Sequence, residues 1–178
     1  MMIVLVIALI LIFLVVCWYI STGNRLHTLN VKLNTSETTL EAILIRRSGL
    51  VIQLLELCRN CPACAAHALP LLPPLHPGMS MVECNHADTQ LWALARHIYT
   101  LAKTHPALYA NMCYRELKLG IRDLEEQLQS ARQRYNSTAS VYNRLLTHFP
   151  SQAVGQHLHL APRDLFQPDG TARQQARL

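Results

Sequence analysis

The sequence predicts an all-α protein: an N-terminal transmembrane helix followed by an antiparallel helical bundle of three to four helices. Three observations predict it. Met1 to Ile20 is an unbroken apolar run. Two later stretches, 25–59 and 110–149, space their apolar residues at steps of three and four, the period of a long helix with one buried face. Prolines gather between them and at their ends, where a missing donor and a fixed φ interrupt helices.

The apolar run comes first. At ~1.5 Å rise per residue, about 20 residues cross a ~30 Å hydrocarbon core, so the run predicts a single membrane span. A signal peptide is the competing reading, but no basic residue precedes the run, and it exceeds the usual length of a secretory apolar core. Trp18 and Tyr19 have the character of an interfacial belt, and Arg25, Lys32, Arg46 and Arg47 all follow the run. By the positive-inside rule the bulk of the chain is expected in the cytoplasm.

The first bundle helix is expected from Arg25 to about Arg59, continuing from the anchor with Gly23 as a bend. Its seam reads Leu29, Leu33, Leu40, Ile43, Leu50, Leu54 and Leu57. Arg47 falls on this seam, seven residues after Leu40 and seven before Leu54. A charge there must pair or extend to water, because a buried unpaired charge costs several kcal/mol. Between Pro62 and Gly78 five prolines then predict a loop, bounded as 62–86, whose leucines dock on the bundle. A further helix is expected at 87–103.

The long helix follows Pro106, with its seam at Ala110, Tyr114, Leu117, Ile121, Leu124, Leu128, Ala131, Tyr135, Tyr142, Leu145 and Phe149. Thr138 fills the one polar gap. A seam over five heptads has coiled-coil character and needs partner helices. Arg115, Lys118, Arg122, Asp123, Glu126, Gln129 and Gln133 make the opposite face polar, as for a bundle helix in water. Residues 1–22 are thus read as the anchor, 23–166 as the bundle and 167–178 as a disordered tail.

With these elements placed, Arg132-Gln133-Arg134-Tyr135-Asn136, Tyr142-Asn143 and Phe149-Pro150-Ser151 form one pattern. It resembles the LemA family of bacterial membrane-anchored helical-bundle proteins. The resemblance extends to His105-Pro106-Ala107-Leu108-Tyr109-Ala110-Asn111, similar to the family's Tyr-Pro-x-Leu-x-Ala-Asn, and to Glu125, Leu128 and Ala131. A weaker echo covers Arg47 to Glu56, where Gly49, Ile52 and Gln53 replace the family's aspartate, proline and asparagine. About half of the chain carries the pattern, and the proline-rich stretch has no counterpart in it. The resemblance implies architecture and membrane location, and no catalytic mechanism.

Two polar constellations stand out. Glu125, Arg132, Asn136 and Asn143 border one flank of the long seam, and Asn136 and Asn143 share a heptad position. Meeting Arg47 or Glu56 across an antiparallel pair, they would form a polar rail that fixes helix register. Cys58, Cys61 and Cys64 recur every third residue and are followed by His67. With Cys84 or His86 as a fourth ligand they would make a zinc or iron–sulfur site. Thiols kept free by a reducing cytoplasm are the plainer reading, and the one adopted, with no cofactor.

No serine-nucleophile elbow, zinc-protease helix or phosphate-binding glycine loop occurs, and the nine histidines are dispersed. An enzyme is therefore not expected. The net charge of +5 is scattered, with no arginine-rich block, which argues against nucleic acid as a partner. The sequence thus points to a membrane-anchored scaffold or interaction protein. Its partners would be the lipid bilayer through residues 1–20 and either another membrane protein or its own copies.

Overall fold

The computed structural model describes residues 1–61 and 75–167. The proline-rich stretch before Leu75 and the tail beyond Gln167 lie outside the described residues. Every regular element among the described residues is helical: α1 (Met2–Arg59), α2 (Met81–Thr104), α3 (Pro106–Tyr109), α4 (Met112–Thr147) and α5 (Ser151–His157). They form two compact units. One combines Met1–Thr35 with Tyr135–Leu165, and the other combines Ser36–Arg134 with Phe166–Leu178.

The expected bend at Gly23 is not a break, because α1 is a single helix of 58 residues. Its buried line is Leu40, Leu44, Arg47, Val51, Leu54 and Cys58, continuing Leu26 and Leu33. The expected Ile43, Leu50 and Leu57 are only half-buried. Each stands one position, about 100° of helix rotation, before a residue that is buried instead.

In α4 the expected seam is buried at Tyr114, Ile121, Leu124, Leu128, Ala131 and Tyr135. Tyr142 is buried as expected, while Ala139 and Leu146 take the buried places expected of Thr138 and Leu145. Thr138 and Leu145 are half-buried, and Phe149 is 86% exposed. Two consecutive steps of four, 131 to 135 and 135 to 139, make a local stutter that shifts the buried face.

Helix α2 begins six residues earlier than expected, so the proline-rich connection ends at Ser80 and not at 86. The cause is a capping box: the Ser80 hydroxyl accepts from the Glu83 amide at 3.3 Å, and the Glu83 carboxylate accepts from the Ser80 amide at 2.7 Å. That amide and hydroxyl also hold the Glu83 carboxyl below its usual range.

In the second unit, α1 and α4 are antiparallel, as expected. Arg47 meets Glu125, and a Cβ on Gly120 would stand 3.1 Å from Leu50, so Gly120 allows a close approach. Helix α2, by contrast, runs parallel to α1. The Gly78 amide donates to the Glu41 carboxylate at 3.1 Å just before α2 begins, and Asp88 lies beside Arg47 further along both helices. The start of α2 therefore lies beside Glu41, eighteen residues and about 27 Å of helix rise before the end of α1 at Arg59. Lys118 on α4 lies over the rings of Tyr99 and Tyr109, at 5.6 and 6.0 Å, so this half-buried lysine is not the idle outer-face residue expected.

In the first unit, α5 packs along α1. A Cβ on Gly23 would meet Leu158 and Val154 at 3.9 and 4.0 Å, and the His157 ring meets Tyr19 edge-on at 6.1 Å. Gly155 faces α4, where any Cβ would overlap the Leu146 side chain. Beyond α5 the chain turns at His159, with φ 51°, and runs back toward the middle of α4.

Candidate functional site

The seam arginine is the centre of the second unit. Arg47 is 0% exposed, and its guanidinium reaches two carboxylates on two helices. Nη1 donates to Asp88 of α2 at 2.5 Å and Nη2 to Glu125 of α4 at 2.7 Å. Asp88 is itself buried, whereas the Glu125 side chain is 33% exposed. Arg47 Nε finds no acceptor among the described residues. A planar guanidinium suits this task because its fork presents several fixed donors to carboxylates on different helices. The cluster ties α1, α2 and α4 into one register, since a slip by one residue would strand a charge away from water.

Of the residues expected in the rail, Arg47 and Glu125 are brought together, and the others lie elsewhere. Glu56 is exposed and takes no part in the cluster: it lies nine residues after Arg47, which is about two and a half turns, so it points to the opposite face of α1. Arg132 places its guanidinium 6.0 Å from the centre of the Phe166 ring, a cation–π pairing. Asn136 is half-buried beside Tyr135.

Asn143 clamps the returning chain. Its Oδ1 accepts from the Arg163 amide at 2.8 Å, and its Nδ2 donates to the Arg163 carbonyl, also at 2.8 Å. Tyr135 adds a hydrogen bond from its hydroxyl to the Asp164 carbonyl at 2.8 Å. The Arg163 guanidinium meanwhile donates to Asn30 at 2.9 Å and Asn34 at 2.8 Å on α1.

Asp88 and Arg163 were missed in the sequence. Asp88 carried the same signal as Arg47: Cys84, Asp88, Leu91, Ala95, Ile98 and Ala102 form the buried line of α2 at alternating steps of four and three. A helix started at Ala87 puts Asp88 in its first turn, where an acidic residue is ordinary, so the seam position went unread. Arg163 sits in an irregular segment, where periodicity has nothing to read.

The cysteine set does not assemble as proposed. Cys58 lies near Tyr114, while Cys84 lies near Glu41 and Glu37. Seventeen residues of α1 separate Glu41 from Cys58, about 25 Å of helix, so Cys84 cannot be a fourth ligand to a site at Cys58. His86, two residues from Cys84, faces outward from α2 into a groove of about 380 Å³ with His76, Met79 and Val82. Cys64 and His67 lie outside the described residues. Among the described residues no group of three His, Cys, Asp or Glu side chains is placed to hold a metal.

Burial, with Glu41 and Glu37 nearby, pushes the Cys84 thiol from 9.0 up to about 11. Below both values, such a shift leaves about a hundredfold less thiolate, the reactive form. Iodoacetamide at neutral pH should therefore modify exposed Cys113 well before Cys84. Peptide mass spectrometry over a time course reads this order, and equal rates at the two residues would contradict it.

The other distinctive surface is the start of α1. Residues 2–20 are exposed throughout, and the helix is long and apolar enough to cross a membrane.

No curated protein matches the chain. A family model, that of the LemA family, matches residues 26–178. This match begins just after the apolar run and takes in the proline-rich stretch as well as the charged cluster and the Arg163 clamp. On that match, covering most of its length, the chain belongs to the LemA family.

Proposed function

We propose that this LemA-family protein is a membrane-anchored scaffold, in which the first turns of α1 span the bilayer and the helical units present an interaction surface in the cytoplasm. One observation carries the anchoring. An apolar stretch of about 20 residues is exposed along its whole length, yet is continuous with a helix whose later part is a packed bundle element. Left in water, that area would aggregate; in hydrocarbon it matches the length a span requires. Arg25, Lys32 and Arg46 follow it and favour a cytoplasmic bundle in the bacterial inner membrane. The helices are locked by a buried charge cluster, a rigid arrangement suited to presenting surface to another membrane protein or to a second copy. The proposed role is non-enzymatic and does not involve nucleic acid.

Alkaline extraction of membranes is expected to leave the full chain in the pellet, and a variant without residues 1–22 in the supernatant. Release of the full chain would overturn the anchor. So would an intact mass showing cleavage between Ile20 and Asn24, the mark of a signal sequence. A fluorescent reporter that matures only in the cytoplasm, fused after Leu178, tests the orientation. An active periplasmic phosphatase fusion at the same position would reverse it.

A further inference from the structure

Helix α5 ends beside the boundary of the apolar run. Its last residues approach α1 just beyond the aromatic pair Trp18 and Tyr19: Leu158 and Val154 stand at Gly23, and the His157 ring meets Tyr19. Beside Gly23, Leu158 is 44% exposed. Trp18 and Tyr19 are 40% and 37% exposed beside it.

The charge pattern is a second, independent observation. From His148 to Arg163 there is no aspartate or glutamate, while His148, His157, His159 and Arg163 supply every ionisable side chain. Nothing acidic in this segment would repel an anionic headgroup. Apolar tips flanked by cationic or neutral polar groups, next to an aromatic pair, are the composition of a shallow interfacial contact.

We propose that the end of α5 and the turn that follows it, from Gln156 to His159, seat in the lipid interface near Tyr19, as a second bilayer contact of the unit that carries the span. Leu158 enters the boundary between acyl chains and headgroups, and His157 and His159 lie among the headgroups. The inference rests on the anchoring reading above. It adds to that reading that the C-terminal part of the chain also touches lipid.

The test uses the full chain in vesicles of phosphatidylethanolamine and phosphatidylglycerol whose acyl chains are brominated close to the glycerol. A Trp92→Phe variant reports on native Trp18. Leu158→Trp, made with Trp18→Phe and Trp92→Phe, reports on the turn; His159→Trp in the same background repeats the measurement in case the first substitution perturbs folding. Both turn reporters should lose emission to the brominated lipid to an extent comparable with Trp18, and should be shielded from aqueous iodide. Quenching of Trp18 with both turn reporters open to iodide and untouched by bromine would overturn this inference alone. If Trp18 also escapes the brominated lipid, the anchoring reading falls and the inference falls with it.

Discussion

Arg47→Ala should be the most damaging single change in the bundle, lowering stability by about 3–5 kcal/mol. It removes the guanidinium that balances the buried Asp88 carboxylate, and the loss of that charge pairing in a low dielectric dominates. Arg47→Lys should recover only part of it, since one ammonium cannot present the two divergent donors that reach α2 and α4. Arg47→Met should cost less if Asp88 is made apolar with it, because replacing a buried ion cluster whole avoids stranding a charge. Arg122→Ala is the control: this residue pairs with Glu126 at 3.3 Å on an open helix face, and its loss should cost about 0.5 kcal/mol at most.

Urea denaturation of the detergent-solubilised protein, followed by circular dichroism, measures each variant. Double-mutant cycles separate the two carboxylates. Coupling of Arg47 to Asp88 should exceed its coupling to Glu125, because water already solvates a third of the Glu125 side chain. If the Arg47 and Asp88 losses simply add, the cluster does not set the register of these helices.

The chain's long helices were legible because periodicity is sustained, and it failed where two neighbouring residues were both apolar. On α1, Ile43 and Leu44, Leu50 and Val51, and Leu57 and Cys58 are each plausible seam pairs. Packing against α2 as well as α4 selects the second of each, and a pairwise helix pattern carries no information about a third helix. On α4 the preference for large residues favoured Leu145 and Phe149, while the structure buries Ala139 and Leu146. A small residue on the seam is a weak signal by itself.

Arg47 was legible as a charge on an apolar stripe, and Glu125 as a level position on the facing helix. Its second partner needed the correct start of α2. The sequence Ser80-Met81-Val82-Glu83 contains that start as a capping box, but the prolines just upstream drew the loop too far. The parallel course of α1 and α2 was beyond the sequence altogether, because no local pattern states where a connection after Arg59 will return.

Asn143→Ala should release the segment that follows α5 while the helices stay folded. The amide side chain closes two hydrogen bonds on one residue, accepting from the Arg163 N–H and donating to its carbonyl, each at 2.8 Å. Both Arg163 groups are half-buried, so removal leaves a donor and an acceptor to find water, at a cost of about 2 kcal/mol. Tyr135→Phe should cost nearer 1 kcal/mol, since it removes a single bond to the Asp164 carbonyl and keeps the ring in the seam. Because the two side chains grip adjacent residues of one segment, the double variant should show coupling and not simple addition. Hydrogen exchange resolves the effect locally: the Arg163 amide, protected by Asn143 Oδ1, should exchange much faster in Asn143→Ala, with amides in the middle of α4 unchanged. Uniform acceleration across α4 would mean that Asn143 supports the helix itself, and the clamp would lose its meaning as a separate device. Unchanged exchange at Arg163 would mean that the guanidinium contacts to Asn30 and Asn34 hold the segment without it.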